Sequence, residues 1–310
     1  HFSVYGMLGD TLTLAAAIAA RTSRIKIGTA VVLLPLNHPL RVAEQAALVD
    51  VLSNGRLLLG VGRAYQPGEF DGFGISPDQS RAMFQESLEI LQKAFTEEKF
   101  SHAGQFWNVK NVSLFPKPIQ QPHPPLYLAA VTPPSYELAA NLGACMLRSP
   151  SFTRMDLVEQ QWKIYRDSLE EKGIDALQMD QPMLMQTYVA ESEEEAKRDT
   201  EPHALWFHRL LGSLLPGAPE KEVHSGYEIY SRVQKHQEEI TFEDLYEWGS
   251  CYGTPERVVE RIKEYANRAG TNHWLAEMKF GGMPHDKAMK SMKLFAEQVM
   301  PALREFVPTG

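Results

Sequence analysis

The chain alternates short apolar segments with helical patterns. Six segments predict strands, and each of them is followed by a predicted helix; they are 24–34, 57–62, 126–131, 145–149, 183–190 and 273–280. Each is almost continuously apolar, which is typical of a parallel strand whose two faces are both covered. We see no hairpin meander in this pattern. The fold class is therefore α/β.

Two architectures fit six such units. One is a doubly wound open sheet, and the other is a (β/α)8 barrel of the TIM type with two units unaccounted for. Gly60 and Gly62 end the strand 57–62, but Tyr65 stands where a dinucleotide fingerprint needs its third glycine. Because this fingerprint is incomplete, the barrel is favoured over the doubly wound open sheet. Prolines in the second half of 100–125 exclude a central strand or helix there.

Composition excludes several classes of function. The 310 residues carry a net charge of −8, which disfavours DNA or an anionic membrane surface as a partner. Two cysteines, Cys145 and Cys251, and no apolar run near the roughly 20 residues of a membrane span predict a cytoplasmic protein. The histidines do not cluster, and the spacing of His203 and His208 is wrong for two ligands on one helical face, so we predict no metal.

Three segments carry a resemblance to a known family. They are IGTAVVLLPLNHPLRVAEQAALVDVLSNGRLLLGVGR (27–63), PKPIQQPHPPLYLAA (116–130) and KFGGMPHDKAMKSMKLFAEQVMP (279–301). Together and in this order they resemble the bacterial luciferase-like family of flavin-dependent monooxygenases. The resemblance covers most of the chain and is weakest from about 200 to 247. It implies a (β/α)8 barrel that binds FMN, or in one branch the deazaflavin F420, at the carboxyl ends of the strands.

The same resemblance implies that the chain is incomplete at its amino terminus. Family members begin with a strand, a helix and a second strand that ends in Glu-His-His-Phe, and this chain opens on His1 and Phe2. Six visible units and two absent ones give the eight that a closed barrel needs. We therefore expect residues 1–310 to form a single luciferase-like barrel domain that lacks its first strand, first helix and second strand.

Arg63 and Thr132 are the predicted phosphate ligands. The resemblance assigns the phosphate to Arg63, whose guanidinium suits bidentate contact, and Gly62 leaves room for the ligand. A surface salt bridge is the structural alternative for Arg63. Thr132 follows the strand 126–131, where a hydroxyl and the N–H groups of a helix terminus form an anion site, although Thr132 also suits a plain helix cap.

Further site residues follow from the resemblance. Thr29, Ala30 and Val31 match the segment that passes behind the flavin ring, where some members have a cis Ala30–Val31 peptide; a plain core strand is the alternative. Val131 matches a backbone contact to the ring. His1 is the second of the family's paired histidines and the catalytic candidate that this chain contains, although a structural role is favoured over proton transfer because the first of the pair is absent.

The resemblance implies a two-component monooxygenase. It would use reduced FMN from a separate flavin reductase, together with O2, to oxidise a small organic substrate; nothing indicates light emission. The charged segment 216–250 is a predicted lid insertion, with an ordinary surface excursion as the alternative. Two other functions stay open, an F420-dependent hydride-transfer oxidoreductase and a non-catalytic flavin-binding protein. Family members are often homodimers.

Overall fold

The computed structural model of the chain describes residues 3–4, 6, 8–129, 131–218, 223–224 and 226–309, with only the backbone of Phe152. The predicted catalytic residue His1 lies outside the described residues. The chain divides into two compact units. Unit 1 comprises 1–130 with 224–227, and unit 2 comprises 131–223 with 228–310. In the described part of both units, no helix is long and apolar enough to cross a membrane.

Unit 1 is built on a parallel sheet. The strands of unit 1 are β1 (Ile27–Gly28), β2 (Val32–Leu33), β3 (Leu57–Gly62), β4 (Phe100–Ala103), β5 (Asn108–Val112) and β6 (Leu126–Ala129). Its α-helices are α1 (Thr11–Arg21), α2 (Pro39–Ser53), α3 (Pro67–Phe73) and α4 (Ser80–Thr96), with 3-10 turns at Leu34–Leu36 and Pro77–Gln79. Strand β3 pairs in parallel with β1, β2 and β6. The predicted strand 24–34 is therefore two short strands.

Helix α2 begins and ends at residues that suit helix termini. Pro39 occupies the first turn, after the N-cap residue His38, whose Nδ1 accepts the N–H of Leu40 at 3.3 Å. Asn54 ends the helix with a φ of 56°, the left-handed conformation that asparagine tolerates.

The region 100–125 contains one antiparallel pair of strands that the sequence pattern did not predict. Strands β4 and β5 form an antiparallel pair. The carboxylate of Glu86 on α4 accepts the N–H groups of Gln105, Phe106 and Trp107 in the turn, at 3.0, 3.0 and 2.7 Å. These strands are short and largely polar, so a search for apolar segments does not find them.

Unit 2 also contains a parallel sheet. The strands of this unit are β7 (Cys145–Leu147), β8 (Pro182–Val189), β9 (Cys251–Gly253) and β10 (His273–Glu277). The parallel sheet consists of β10, β8 and β9, with β8 in the middle. Its helices are α5 (Pro133–Leu142), α6 (Pro150–Thr153), α7 (Met155–Glu170), α8 (Glu193–Leu214), α9 (Glu228–Glu239), α10 (Phe242–Asp244), α11 (Pro255–Ala269), α12 (His285–Leu294) and α13 (Met300–Leu303). A 3-10 turn spans Ala176–Gln178, and π-helices span Leu245–Gly249 and Phe295–Val299.

The parallel strands and intervening helices confirm the α/β class. The predicted strands 126–131, 145–149, 183–190 and 273–280 correspond to β6, β7, β8 and β10. The three-residue strand β9 is not among the predicted segments. The closed eight-stranded barrel and the single domain stay predictions.

Candidate functional site

Thr29 joins two segments of unit 1 through its hydroxyl. Its Oγ1 donates to the carbonyl oxygen of Gly60 at 2.8 Å and accepts the N–H of Gly60 at 2.9 Å. The side chain is buried. Both hydrogen bonds go to the backbone of β3, so Thr29 fixes the segment between β1 and β2 against that strand.

The peptide bond between Ala30 and Val31 is cis. Some members of the resembled family have a cis peptide at this position, and of the two alternatives that the sequence left open the structure has the cis bond. Ala30 is exposed and Val31 is partly buried. Their contact with a flavin ring stays a prediction.

Gly62 makes room for Val31. A Cβ built on Gly62 would lie 2.6 Å from Cγ2 of Val31 and 3.8 Å from Cβ of Ala129. A separation of 2.6 Å is shorter than any ordinary carbon–carbon contact. The side chain of Val31 thus occupies the space beside Gly62, and the expectation that this glycine leaves room for a ligand stays a prediction.

Arg63 leaves the carboxyl end of β3 and meets residues 226 and 227 of the same unit. Its Nη2 donates to the carbonyl oxygen of Gly226 at 2.8 Å, and its Cζ lies 4.2 Å from the ring centroid of Tyr227. The Tyr227 hydroxyl lies 2.8 Å from Oγ of Ser80 and 3.2 Å from the carbonyl oxygen of Ala64. Burial raises the pKa of Tyr227, and the charge of Arg63 opposes this rise.

Arg81 is a second cation at this place, and sequence reasoning missed it. Gly226 has a φ of +80°, and a Cβ built there would lie 3.5 Å from Nη1 of Arg63 and 3.5 Å from Nη2 of Arg81. The two guanidinium groups therefore face the same point. No carboxylate of the residues that the structure describes lies within 4.0 Å of the Arg81 guanidinium.

A sequence signal for Arg81 exists. It lies in the first turn of α4, where the positive end of the helix dipole disfavours a cation. An anion bound between Arg81 and Arg63 would offset this unfavourable interaction.

Val131 and Thr132 lie in unit 2 at the start of α5. The carbonyl oxygen of Val131 accepts a hydrogen bond from Nε2 of Gln161 at 3.1 Å, and Tyr136 donates to Oε1 of Gln161 at 2.8 Å. Thr132 is the N-cap residue, and its Oγ1 lies 2.9 Å from Oγ of Ser135. Its side chain accepts no backbone N–H of the helix.

The predicted backbone anion site at Thr132 is wrong in one respect. The first two helical residues, Pro133 and Pro134, have no N–H to donate. The N–H of Ser135 is already bonded to the carbonyl oxygen of Thr132 at 2.9 Å. The polar groups that this terminus offers are therefore chiefly the hydroxyls of Thr132 and Ser135, rather than a row of N–H groups.

The structure thus brings Thr29, Val31, Gly62 and Arg63 together around the end of β3, with Arg81 added. Within the predicted lid segment 216–250, the described residues include α9, α10 and a π-helix, whereas 219–222 and 225 lie outside the described residues. In the described ranges, no three histidine, cysteine or acidic side chains come close enough to hold a metal ion.

The comparisons with known proteins agree on one family. A family model described as "Luciferase-like monooxygenase" matches residues 1–272. The oxygenase component of a flavin-dependent trigonelline monooxygenase from Acinetobacter baylyi is 26% identical over 299 residues, which are 94% of this chain and 79% of the relative.

Solved structures share the fold. The monooxygenase RslO1 from Streptomyces bottropensis superposes with a TM-score of 0.80 at 31% identity, over 94% of this chain and 82% of that one. The oxygenating constituent of 3,6-diketocamphane monooxygenase from Pseudomonas putida, in complex with FMN, gives 0.77 at 21% identity, over 99% and 87%. A coenzyme F420-dependent tetrahydromethanopterin reductase from Methanopyrus kandleri gives 0.71 at 19%, over 94% and 87%. The chain has the mixed α/β fold, of TIM-barrel type, that these structures share.

Proposed function

We propose that this chain, which belongs to the luciferase-like monooxygenase family, is the oxygenase component of a two-component flavin-dependent monooxygenase. In this proposal a separate reductase delivers reduced FMN, and the chain uses it with O2 to oxidise a small organic substrate. The trigonelline relative, an oxygenase component matched over 94% of this chain, supports the reaction class.

The observation that carries the proposal is the convergence of two guanidinium groups at the end of β3. Arg63 and Arg81 face one point in unit 1, each with a nitrogen 3.5 Å from the same position beside Gly226. Guanidinium groups bind phosphate through paired, charge-assisted hydrogen bonds. The donor set therefore fits the phosphate of FMN, and we propose that both arginines hold it.

Phosphate binding requires a rearrangement at Arg63. Its Nη2 is bonded to the carbonyl oxygen of Gly226, so an incoming phosphate uses other guanidinium nitrogens or replaces that carbonyl. A dianionic phosphate is the stronger acceptor, since hydrogen bonds between charged groups are roughly twice as strong as neutral ones. The Tyr227 ring lies against the flat face of the Arg63 guanidinium. The N–H groups of a guanidinium point outward in its plane, so the ring does not lie in their direction.

Other predicted residues have supporting roles in this proposal. Thr29 holds the segment that carries Ala30 and Val31, and Gly62 lets Val31 approach β3. Val131 and Thr132 stay predicted cofactor contacts. When bound, reduced FMN supplies the electrons that activate O2. The chain binds the phosphate, supports the ring and keeps water away, with the segment 216–250 as the proposed lid.

The test is an anaerobic titration of the protein with reduced FMN and with reduced F420, followed by admission of oxygen. We expect stoichiometric binding of reduced FMN and oxygen-dependent spectral change of the bound flavin. Tight binding of reduced F420 with no oxygen reaction would instead establish a hydride-transfer oxidoreductase. Flavin binding without oxygen consumption, in the presence of a reductase and candidate substrates, would indicate a non-catalytic flavin-binding protein.

A further inference from the structure

The sheet of unit 2 has one face covered by helix α11. Tyr265 of α11 stacks on Trp274 of β10 with a centroid separation of 6.3 Å, and Sγ of Cys251 on β9 lies 3.7 Å from the carbonyl oxygen of Val258. The indole nitrogen of Trp274 donates to Oγ1 of Thr187 on β8 at 3.2 Å. Side chains alternate between the two faces of a strand, so the residues next to Trp274, Cys251 and Thr187 in sequence lie on the opposite face of the sheet.

That opposite face carries a polar pair between apolar neighbours. Glu277, the last residue of β10, is in register with Gln186 of β8. One rung earlier, the partners on the same face are Leu275 and Leu184, both half-buried. Tyr252 of β9 is fully buried beyond the pair. The carboxyl ends of parallel strands are where barrel enzymes place their sites, so this rung is at the functional edge of the sheet.

Gln186 has a buried amide donor with no hydrogen bond of normal geometry to the described residues, although it lies near enough to Glu277 to affect that carboxyl. Its side chain is fully buried, and its Oε1 accepts the hydroxyl of Tyr252 at 2.7 Å. This fixes the amide, whose Nε2 makes no hydrogen bond of normal geometry within the described part of the chain. A buried donor without an acceptor is destabilising, so a ligand that supplies an acceptor is favoured there.

Glu277 beside it has a carboxyl that is harder to ionise than an ordinary one. Burial raises the pKa of its carboxyl to about 7, and the nearby Gln186 amide opposes part of that rise. Tyr252 is the titratable group that faces it, and burial raises the pKa of that phenol well above its usual value. No charged side chain of the described residues contributes to the Glu277 shift. As a neutral acid, Glu277 donates its proton in a hydrogen bond.

We propose that Glu277 and Gln186 form a binding site for an uncharged substrate with one hydrogen-bond-accepting oxygen on an apolar body. The site rests on the proposed function, because it supplies that enzyme with the class of its organic substrate. Two donors, the carboxylic O–H and the amide N–H, suit the two lone pairs of a single oxygen. Leu184 and Leu275 suit the apolar remainder.

Calorimetric titration of the full chain with two ring compounds of one size tests the site without flavin. Cyclohexanone is the acceptor probe and cyclohexylammonium is the cationic probe, each at about pH 6 and about pH 8. We expect the affinity for cyclohexanone to fall up to about tenfold from the lower to the higher pH, because the fraction of neutral Glu277 falls by that factor. Cyclohexylammonium should bind better at the higher pH.

Three variants make the test specific. Glu277→Gln keeps a donor at both pH values, so its cyclohexanone affinity should not depend on pH, whereas Glu305→Gln, a change of an exposed carboxylate, should behave as the parent chain. Tyr252→Phe releases the Gln186 amide, and we expect weaker binding with the pH dependence retained.

The proposal is overturned if cyclohexanone binds at neither pH, or if its affinity for the parent chain does not depend on pH. It is also overturned if the affinity of Glu277→Gln for cyclohexanone still depends on pH. Flavin titration of the same samples separates the two proposals. Loss of flavin binding with the ketone result intact would reject the proposed function alone, and normal flavin binding without the ketone result would reject this site alone.

Discussion

The ends of β3 in unit 1 and β10 in unit 2 carry opposite kinds of polar group. At β3, Arg63 and Arg81 supply charges that are permanent, because guanidinium stays protonated at any ordinary pH. At β10, Glu277 has a charge that changes near neutrality, because burial raises its pKa to about 7. Fixed cations suit an anchor for an anionic cofactor, whereas a titratable carboxyl suits the selection of a neutral ligand. Salt should therefore affect the first site and pH the second.

The largest expected effect is loss of the phosphate anchor. In Arg63→Ala, we expect the affinity for reduced FMN to fall about 100-fold, since a charge-assisted contact contributes roughly 1.5–3 kcal/mol and tenfold in affinity is about 1.4 kcal/mol. Binding of reduced riboflavin, which lacks the phosphate, should change little. Anaerobic titration of both flavins, at low and at high salt, measures the difference.

Controls for this experiment are available in the chain. Arg81→Ala should reproduce the selective loss of FMN affinity, and Arg304→Ala, a change of an exposed residue near the carboxyl end, should leave it unchanged. If the affinities for riboflavin and FMN fall equally in Arg63→Ala, the guanidinium supports the fold of the site and does not bind the phosphate. The end of β3 would then not be an anchor for an anionic cofactor.

The second prediction concerns the stability of Glu277→Gln. The folded pKa of Glu277, about 7, lies above its usual value of 4.5, so the folded state binds the proton more tightly than the unfolded state. Below about pH 4.5 both states are protonated and the carboxyl costs nothing, but stability falls as pH rises from there through about 7. The variant should therefore be the more stable protein at about pH 8, by at most about 3 kcal/mol.

Denaturant unfolding at about pH 5 and about pH 8 measures this effect, with Glu305→Gln as the matched change of an exposed carboxylate. The gain should be well under its upper limit, because Glu277 is half-buried and water screens part of its charge. If Glu277→Gln differs from the parent chain by the same free energy of unfolding at both pH values, the charge of Glu277 does not change between them. The end of β10 would then not carry a group that titrates near neutrality.

The two sites also differ in how much of them the sequence predicts. Gly62 is the last residue of one apolar strand and Arg63 directly follows it, so a local motif is enough to find them. Arg81 lies on α4, and its proposed role depends on its guanidinium lying close to that of Arg63. A local sequence pattern does not predict that proximity. Gln186 and Glu277 meet only through the register of β8 with β10. Pairing across a sheet is set by tertiary packing, and so this rung was not predictable from spacing.

The same distinction explains the errors in the fold. Strand β9 has three residues and the strands β4 and β5 are largely polar, so none of them produces the apolar signal that identified β3 or β8. At Thr132 the motif located the N-cap residue correctly. The two prolines after it were visible in the sequence, but the predicted row of N–H donors did not take account of them.

A third prediction tests whether the end of β3 is rigid as well as charged. Gly62→Ala places a Cβ 2.6 Å from Val31, and we expect a loss of about 1–3 kcal/mol in the free energy of unfolding, as for other overpacked sites. Gly28→Ala is the matched control, because its Cβ would meet Leu58 at 3.8 Å, an ordinary contact. The double variant Gly62→Ala with Val31→Ala should recover most of the loss.

The smallest effect is expected for Tyr227→Phe. The change removes a hydroxyl that lies within hydrogen-bond distance of Ser80 and Ala64, at a cost of about 1 kcal/mol in unfolding free energy. The ring stays over the Arg63 guanidinium, so affinity for reduced FMN should stay within about twofold of the parent chain. Tyr227→Leu removes the ring's electrostatic attraction as well, and should weaken FMN binding further. If Tyr227→Phe instead lost as much FMN affinity as Arg63→Ala, a neutral hydroxyl would contribute as much as a permanent charge, and charge type would no longer distinguish the end of β3 from that of β10.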